Sequence, residues 1–269
     1  MQIVTAERPR DFVRVEGPQA ADYLNRMVSN DVVALEVGGV CDALLLTAKA
    51  RVIATLRVLR RGPEDFLLLK EPGFGAVVRD QLLRSRFAAR CAIETEVHET
   101  AVILGEEVHP SANAVAIPTE DYGLPGFEVL DAGLAPTIGA EELERLRIEA
   151  GTPTAGRDVD ERVLPAEAGL TERAVSFTKG CYPGQEPVAR LHHRGHANRA
   201  LRVLSIEGSE LPEADAEVVF GGKVVGRVTS AARANGGVVA LAYVRTEVPE
   251  DAALGVNGAA ARMRAPTRP

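Results

Sequence analysis

One stretch of the chain concentrates residues able to do chemistry: "SFTKGCYPGQEPVARLHHRGH", residues 176–196. It holds Cys181, one of three cysteines, and Lys179, one of four lysines, two positions apart. A cysteine works as nucleophile or metal ligand through its thiolate, and nearby positive charge favours that form. Lys179 supplies such a charge, and Arg190 follows if residues 184–192 are helical. Gly180 and Gly184 allow a tight backbone path and the close approach of another molecule. Gln185 and Glu186 fall where a helix could begin, and a carboxylate there suits the amides of a helix start. From local chemistry alone, Cys181 is a working thiol, a metal ligand or a small turn residue.

Beyond the cysteine the chain turns basic. Arg190, His192, His193, Arg194, His196, Arg199 and Arg202 occur with no acidic residue between Pro187 and Ile206. Arginine forks pair with carboxylates and phosphates, so the run suits an anionic ligand, an acidic partner or simply a solvated face. His192 and His196 have metal-ligand spacing, but Gly195 interrupts a helix between them and no third ligand is near. No resident metal is expected there.

The bulk composition bounds the partners. The 269 residues are 46% hydrophobic and 26% charged, with a net charge of −7, so the surface as a whole is no nucleic-acid footprint. No nucleic-acid partner is expected. The first residues lack a basic segment followed by an apolar one, which predicts no secretory leader. Apolar runs such as "ALLLTA" are too short to span a bilayer, so no membrane association is expected. Cys41, Cys91 and Cys181 are odd in number and far apart, a pattern that predicts a reducing, cytoplasmic setting. Three cysteines cannot supply all four thiolates of a cubane iron–sulfur cluster.

The elements that must position Cys181 follow from periodicity. "FVRVEG" reads as a strand and is followed by a helix starting near Pro18. Ala20, Tyr23, Leu24, Met27 and Val28 fall on one face of that helix, a core stripe. Residues 40–60 read as two strands joined by a turn near Lys49, with Cys41 a buried small hydrophobe. "DFLLLK" is a further strand, then a helix from Phe74 to about Arg86, then a strand opened by a structural Cys91. Short strands continue through "AVILGEEV", "NAVAIP" and "FEVLD", and residues 131–139 read as a linker. A helix runs through "AEELERLRIEAG", capped by Gly151. From Leu201 onward, short strands and glycine-rich turns predict a small closed antiparallel unit, with "FGGKVV" a tight hairpin and the tail "AAARMRAPTRP" loose at its end.

"KGCYPGQE", Lys179 to Glu186, resembles the signature of the YgfZ-type folate-binding proteins, relatives of the T-protein (aminomethyltransferase) of the glycine cleavage system. That pattern reads Lys, any residue, Cys, Phe or Tyr, any residue, Gly, Gln, Glu. "VRVEGPQAADYLNRMVSNDV", "LRIEAGTPTAGRDVDERVLPAEAGL" and "GKVVGRVTSAA" resemble further family segments. Three departures stand out: Pro183, Pro187 after the Gln-Glu pair, and Ala50 in place of the glycine usual in the Lys-x-Arg turn. The two prolines are expected to stiffen the loop and to shift the helix start toward Pro187.

The resemblance implies an α+β fold, a three-part cloverleaf with a C-terminal antiparallel β-barrel. Its parts would be an N-terminal folate-binding region over 1–135, a helix plus signature segment over 136–198, and the barrel over 199–269. It implies tetrahydrofolate or a derivative as cofactor, and iron–sulfur client or carrier proteins as partners. Cys181 and Lys179 are the implied catalytic residues. Glu149, Arg147, Tyr182, Gln185, Glu186 and Arg190 are the implied cofactor-binding residues. Glu149 matches the carboxylate that T-proteins set against the pterin ring, where it can accept paired hydrogen bonds. The implied function is tetrahydrofolate-dependent assembly or repair of iron–sulfur clusters, with a cluster held transiently through Cys181. The alternatives are an aminomethyltransferase of glycine-cleavage type and a non-enzymatic folate-binding adaptor. Whether the chain is an enzyme stays open: "EPGFGAVVRDQLLRSR" lacks the Asn-rich segment and catalytic Asp context of T-proteins.

Overall fold

The computed structural model describes residues 3–106, 108 and 114–268. In chain order the elements are β1 (Val4–Glu7), β2 (Asp11–Glu16), α1 (Ala20–Met27), β3 (Val40–Leu46), β4 (Val52–Gly62), β5 (Asp65–Lys70) and α2 (Gly75–Ser85). Then come β6 (Ala92–Glu96), β7 (Thr100–Leu104), β8 (Val115–Thr119), β9 (Gly126–Leu130) and α3 (Ala140–Glu149). The last third holds α4 (Thr171–Ala174), α5 (Gln185–Arg194), β10 (Arg199–Ile206), β11 (Glu217–Phe220), β12 (Lys223–Ala234), β13 (Gly237–Arg245), β14 (Leu254–Val256) and β15 (Ala259–Arg264). The expected strands "AVILGEEV" and "NAVAIP" reach residues 107 and 113, which lie outside the described residues.

The chain divides into two compact units. One comprises Pro9–Glu99 and Val159–His196. Its antiparallel sheet has the order β3-β4-β5-β2-β6. The apolar stripe of α1 is buried at Ala20, Tyr23, Leu24 and Met27, and packs with Val13, Val15, Phe66 and Leu68 of the sheet. Val78 and Leu82 of α2 join the same core, and the Tyr23 hydroxyl donates to the Leu82 carbonyl at 2.5 Å. Lys49 lies in the turn between β3 and β4, as the apolar pattern predicts. Pro187 does not delay α5, which begins at Gln185. It occupies the third helical position, whose N–H has no intrahelical acceptor to lose.

The other unit comprises Met1–Arg8, Thr100–Asp158 and Ala197–Pro269. It holds a four-stranded sheet, order β1-β7-β9-β8, and a closed six-stranded barrel, β10-β13-β12-β11-β14-β15. Successive side chains of a strand point to opposite faces. In β13, Val238, Ala240, Ala242 and Val244 accordingly fill one apolar cluster, while Val239 and Leu241 pack in another with Ile148 of α3. The "FGGKVV" hairpin forms with Gly221 and Gly222 both at positive φ, as such two-residue turns require.

In the C-terminal segment β15 pairs with β10 and β14 to close the barrel, and the Thr267 amide donates to the Glu149 carbonyl at 2.8 Å. Residues 1–135 contribute to both units, because β1 pairs with β7 from Val4↔Leu104 onward, and residues 136–198 divide after Asp158. The barrel begins at Arg199.

Gly226, in the "VGRVTS" segment, lies on β12 where the backbone of β13 passes close, and a Cβ there would overlap the Tyr243 carbonyl oxygen. The obstacle is backbone and cannot rotate away. Gly226→Ala should therefore cost about 1–3 kcal/mol, read as a lower urea midpoint at unchanged slope. An unchanged midpoint would show that the strands can move apart at no cost.

Candidate functional site

The loop before α5 is held from below by Lys179. Its ammonium donates to three backbone carbonyls of the "NRMVSN" segment: Asn25, Val28 at 2.6 Å and Asn30 at 2.9 Å. It also lies 5.1 Å from the centre of the Tyr182 ring, within reach of a cation–π attraction. Burial pushes the Lys179 ammonium down to about 8, opposed by the charge of Asp31 and the thiol of Cys41. At neutral pH the group still carries its proton.

The same N-terminal segment grips the chain ahead of the loop. The Ser29 hydroxyl donates to the Ala174 carbonyl at 2.5 Å, and the Ser176 amide donates to the Ser29 carbonyl at 3.0 Å. The Asn30 side-chain amide donates to the Asp42 carbonyl at 2.7 Å, and Arg173 pairs with the Asp42 carboxylate at 2.5 Å. The loop's far end is fixed by Gly184, at φ +83, where a Cβ would sit 2.6 Å from the Thr47 carbonyl oxygen and 3.0 Å from Ala50 Cα. Ala50 itself adopts φ +59, the left-handed region that favours glycine.

Between these anchors Cys181 is exposed. Tyr182, beside it, is 7% exposed, and its buried hydroxyl has no hydrogen-bond partner among the described residues. Burial pushes that phenol up to about 12. Gln185 and Glu186 open α5, with Glu186 in its first turn, and Arg190 lies exposed further along the helix. Phe177 stacks on His192 with ring centres 4.1 Å apart. The arrangement presents one thiol on a loop fixed at both ends, able to act as a nucleophile, a single metal ligand or half of a mixed disulfide. Among the described residues no group of three or more His, Cys, Asp or Glu could hold a metal ion.

Cys41 differs from Cys181. It is partly buried in β3, and burial pushes its thiol up to about 12, with Lys179 acting in the opposite sense. The buried Cys91 thiol is likewise raised by burial.

Glu149 and Arg147 lie in the other unit, on α3. Two residues apart on a helix, they do not share a face. Arg147 is 4% exposed and all five of its N–H donors are taken. They go to Glu144 at 2.8 and 2.7 Å, the Thr152 carbonyl at 2.5 Å, Asp158 at 2.8 Å and the Ser230 hydroxyl at 3.0 Å. Asp158 in turn accepts from the hydroxyls of Thr229 and Ser230 and from the Thr154 amide. Arg147 thus ties α3 to the barrel, with no donor left for a cofactor. The signal for this lay in the "VTS" of "GRVTSAA" and in Asp158, neither of which sequence reading assigned to it. Glu149 pairs with Arg145 at 2.5 Å, and Arg264 lies 3.6 Å from its other oxygen. Arg264 also lines a cavity of 610 Å³ beside Ala150 and Gly151, together with Arg202, Arg268, Val203 and Leu241.

Two measurements check this description. Iodoacetamide at pH 7.5 should label the native protein at Cys181 alone, with Cys181→Ser abolishing the rapid phase; early labelling of Cys41 or Cys91 would contradict their burial. In carbon-13 lysine NMR, Lys70 and Lys179 should titrate near pH 8, since burial lowers both, and Lys179→Met should remove one of these resonances. Between about 8 and the ordinary 10.5 the unfolded chain holds the extra proton, so Lys179 taken alone makes stability rise with pH across that window. A Lys179 midpoint near 10.5 would show that the three carbonyl bonds, which favour the charged form, offset the burial.

No family model matches the sequence. The chain is 29% identical over 289 residues to the tRNA-modifying protein YgfZ of Edwardsiella ictaluri, covering 91% of this chain and 85% of that one. It is 28% identical over 301 residues to an aminomethyltransferase of Streptomyces avermitilis, covering 91% and 79%. Its fold matches the crystal structure of the glycine cleavage system aminomethyltransferase T from Bartonella henselae with a TM-score of 0.84 at 20% identity, over 98% of this chain and 86% of that one. No described helix is long and apolar enough to cross a membrane. In sequence and in fold, the chain is a relative of the YgfZ-type proteins and of the glycine-cleavage aminomethyltransferases.

Proposed function

We propose that this chain is a tetrahydrofolate-binding factor that assists the assembly or repair of iron–sulfur clusters in client enzymes, with Cys181 as its reactive group. The observation that carries the reading is the exposed Cys181 on a loop clamped by Lys179 and Gly184. A protein with no chemical use for that thiol has no need to fix it so firmly. The iron–sulfur component rests on the resemblance of "KGCYPGQE" to the YgfZ-type signature. The cluster is written here as cargo: Cys181 offers one ligand and the client supplies the others.

Folate binding is supported by the unit that carries Glu149. The cavity beside α3 has the volume of a small-molecule site, an apolar floor at Val203 and Leu241, and a wall of mixed charge, with arginines 202, 264 and 268 beside Glu250 and Asp251 and Arg202 lying 3.3 Å from Glu250. A pterin ring suits the apolar floor, and a glutamate tail suits Arg264 and Arg268. The Glu149 carboxylate would accept from the pterin's amino-pyrimidine edge, exchanging part of its pairing with Arg145 and Arg264 for the ligand. Tetrahydrofolate, when bound, supplies a carrier for one-carbon groups. Arg190, which belongs to the other unit, has no part in this reading of the folate site.

The aminomethyltransferase alternative is weakened by Asp80. It sits exposed on α2 with Arg79 at 3.8 Å, outside any Asn-rich turn. The relatives' name, tRNA-modifying protein, accords with a client that acts on tRNA. In this chain the net charge of −7 argues against direct RNA binding.

The test is cluster-enzyme activity in a strain lacking this protein, restored with wild type or variants. Cys181→Ser should fail to restore it. Glu149→Ala should weaken tetrahydrofolate binding at least about tenfold, the loss expected when charged hydrogen bonds to a buried ring edge are removed. Full rescue by Cys181→Ser would favour the adaptor, and aminomethyl transfer to tetrahydrofolate by the purified protein would favour the transferase.

A further inference from the structure

The floor of the cavity beside α3 is nearly sealed from water. Val203 and Leu241, which line it, are 3% and 0% exposed. A flat ring reaches them only when a wall gives way. Most of the surroundings are fixed: Val203 and Leu241 belong to the paired strands β10 and β13, and Arg147 ties α3 to the barrel at Ser230. Glu250 and Asp251 are exposed and stand at the rim.

One wall is built differently. Ala265, Pro266 and Arg268 also line the cavity, yet they follow the last ladder pair of β15, Val203↔Arg264. Among the described residues, the only hydrogen bond of residues 265–268 runs from the Thr267 amide to the Glu149 carbonyl. That carbonyl belongs to the last residue of α3 and has no helical donor. Its neighbours at Leu146, Arg147 and Ile148 accept from the amides of Ala150, Thr152 and Gly151. The segment's seat is shaped by absent side chains. A Cβ on Gly123, in the β8–β9 turn, would overlap the Thr267 hydroxyl, and one on Gly151 would lie 3.0 Å from Pro266 Cβ.

We propose that residues 265–268 are a latch over this cavity, which swings aside beyond Arg264 to admit a ligand and closes by bonding the Thr267 amide to the Glu149 carbonyl. A single neutral hydrogen bond opens far more often than a strand ladder, so this wall is the one that moves. Closure satisfies the helix end that carries the Glu149 carboxylate and brings the Arg268 guanidinium to the cavity wall. An anionic group in the cavity gains that contact only in the closed state, and so shifts the latch toward closure. Thr267 is a positioning residue that acts through its backbone amide. The proposal rests on the reading of this cavity as a ligand site and adds how the ligand enters.

The experiment begins with amide hydrogen exchange on the wild type, which needs neither ligand nor variant. The Thr267 amide should exchange at least about tenfold faster than the slowest amides of β15, and equal protection would show a fixed wall and overturn the proposal. A second measurement reads the floor itself, as alkylation by iodoacetamide of the thiol introduced by Val203→Cys in a Cys181→Ser background. Adding Thr267→Pro, which deletes the donor, should speed that alkylation about tenfold, the shift expected from one lost hydrogen bond. Adding Thr267→Ala, which keeps the amide, should leave the rate within about twofold. Equal rates in the proline and alanine variants would overturn the latch. Tetrahydrofolate separates the two readings: it should slow exchange at Thr267 and leave Thr267→Pro about tenfold faster than it leaves the wild type. A floor opened by Thr267→Pro in a protein that binds no tetrahydrofolate would sink the folate reading and leave the latch standing. Tetrahydrofolate bound and released alike by the wild type and Thr267→Pro would do the reverse.

Discussion

The ammonium of Lys179, enclosed by carbonyls of Asn25, Val28 and Asn30, is the interaction on which the candidate site depends. A hydrogen bond from a charged donor contributes about 1.5–3 kcal/mol net, and carbonyls turned inward without a donor would each carry a desolvation cost. The cation and the cage therefore require each other. The cage is built from the last turn of α1 and the residues just after it, and the lysine belongs to the loop before α5, so the bond joins segments about 150 residues apart, as the separations of 149 to 154 show. Ser29 reinforces it by holding the Ala174 and Ser176 backbone on the approach to the loop. Cys181, two residues beyond the lysine, inherits its position from this lock.

The second unit rests on a comparable pairing. Arg147 and Asp158 are both buried, and each satisfies its partner together with Thr229, Ser230 and Glu144. Leaving one member of such a pair alone in the interior costs about 3–5 kcal/mol, so the network is constrained as a whole. Its consequence for function is indirect. It fixes α3 against the barrel and so presents Glu149, on another face of the helix, with its carboxylate between Arg145 and Arg264.

Much of this architecture was legible in the sequence because side-chain periodicity records local burial. The α1 stripe, the β3–β4 hairpin, the Gly221–Gly222 turn and Gly151 after α3 each follow from patterns within a dozen residues. Pairings across the chain left no such record. Nothing near Val4 announces β7 as its partner, and nothing near Ala259 announces that β15 closes a barrel with β10. The carbonyl cage was invisible for a different reason: every residue carries a carbonyl, so residue types cannot reveal which ones converge. Arg147 was misleading because its neighbour Glu149 drew it into the ligand set, while the two-residue spacing that separates their faces was in plain view.

Dependence on backbone also accounts for what the signature loop tolerates. Its anchors are a lysine that meets carbonyls, and a glycine whose missing Cβ leaves room for Thr47 and Ala50. Neither contact uses the side chain at 183 or 187. Pro183 lies between the anchors, and Pro187 falls in the first turn of α5, where a lost N–H removes no helical bond. Both prolines therefore fit without disturbing the path that exposes Cys181. Gly184 has no such freedom: any side chain there would drive the loop off the β3–β4 turn while also demanding a positive φ. The loop's sequence is thus free where side chains face outward and fixed where the backbone of another segment presses against it.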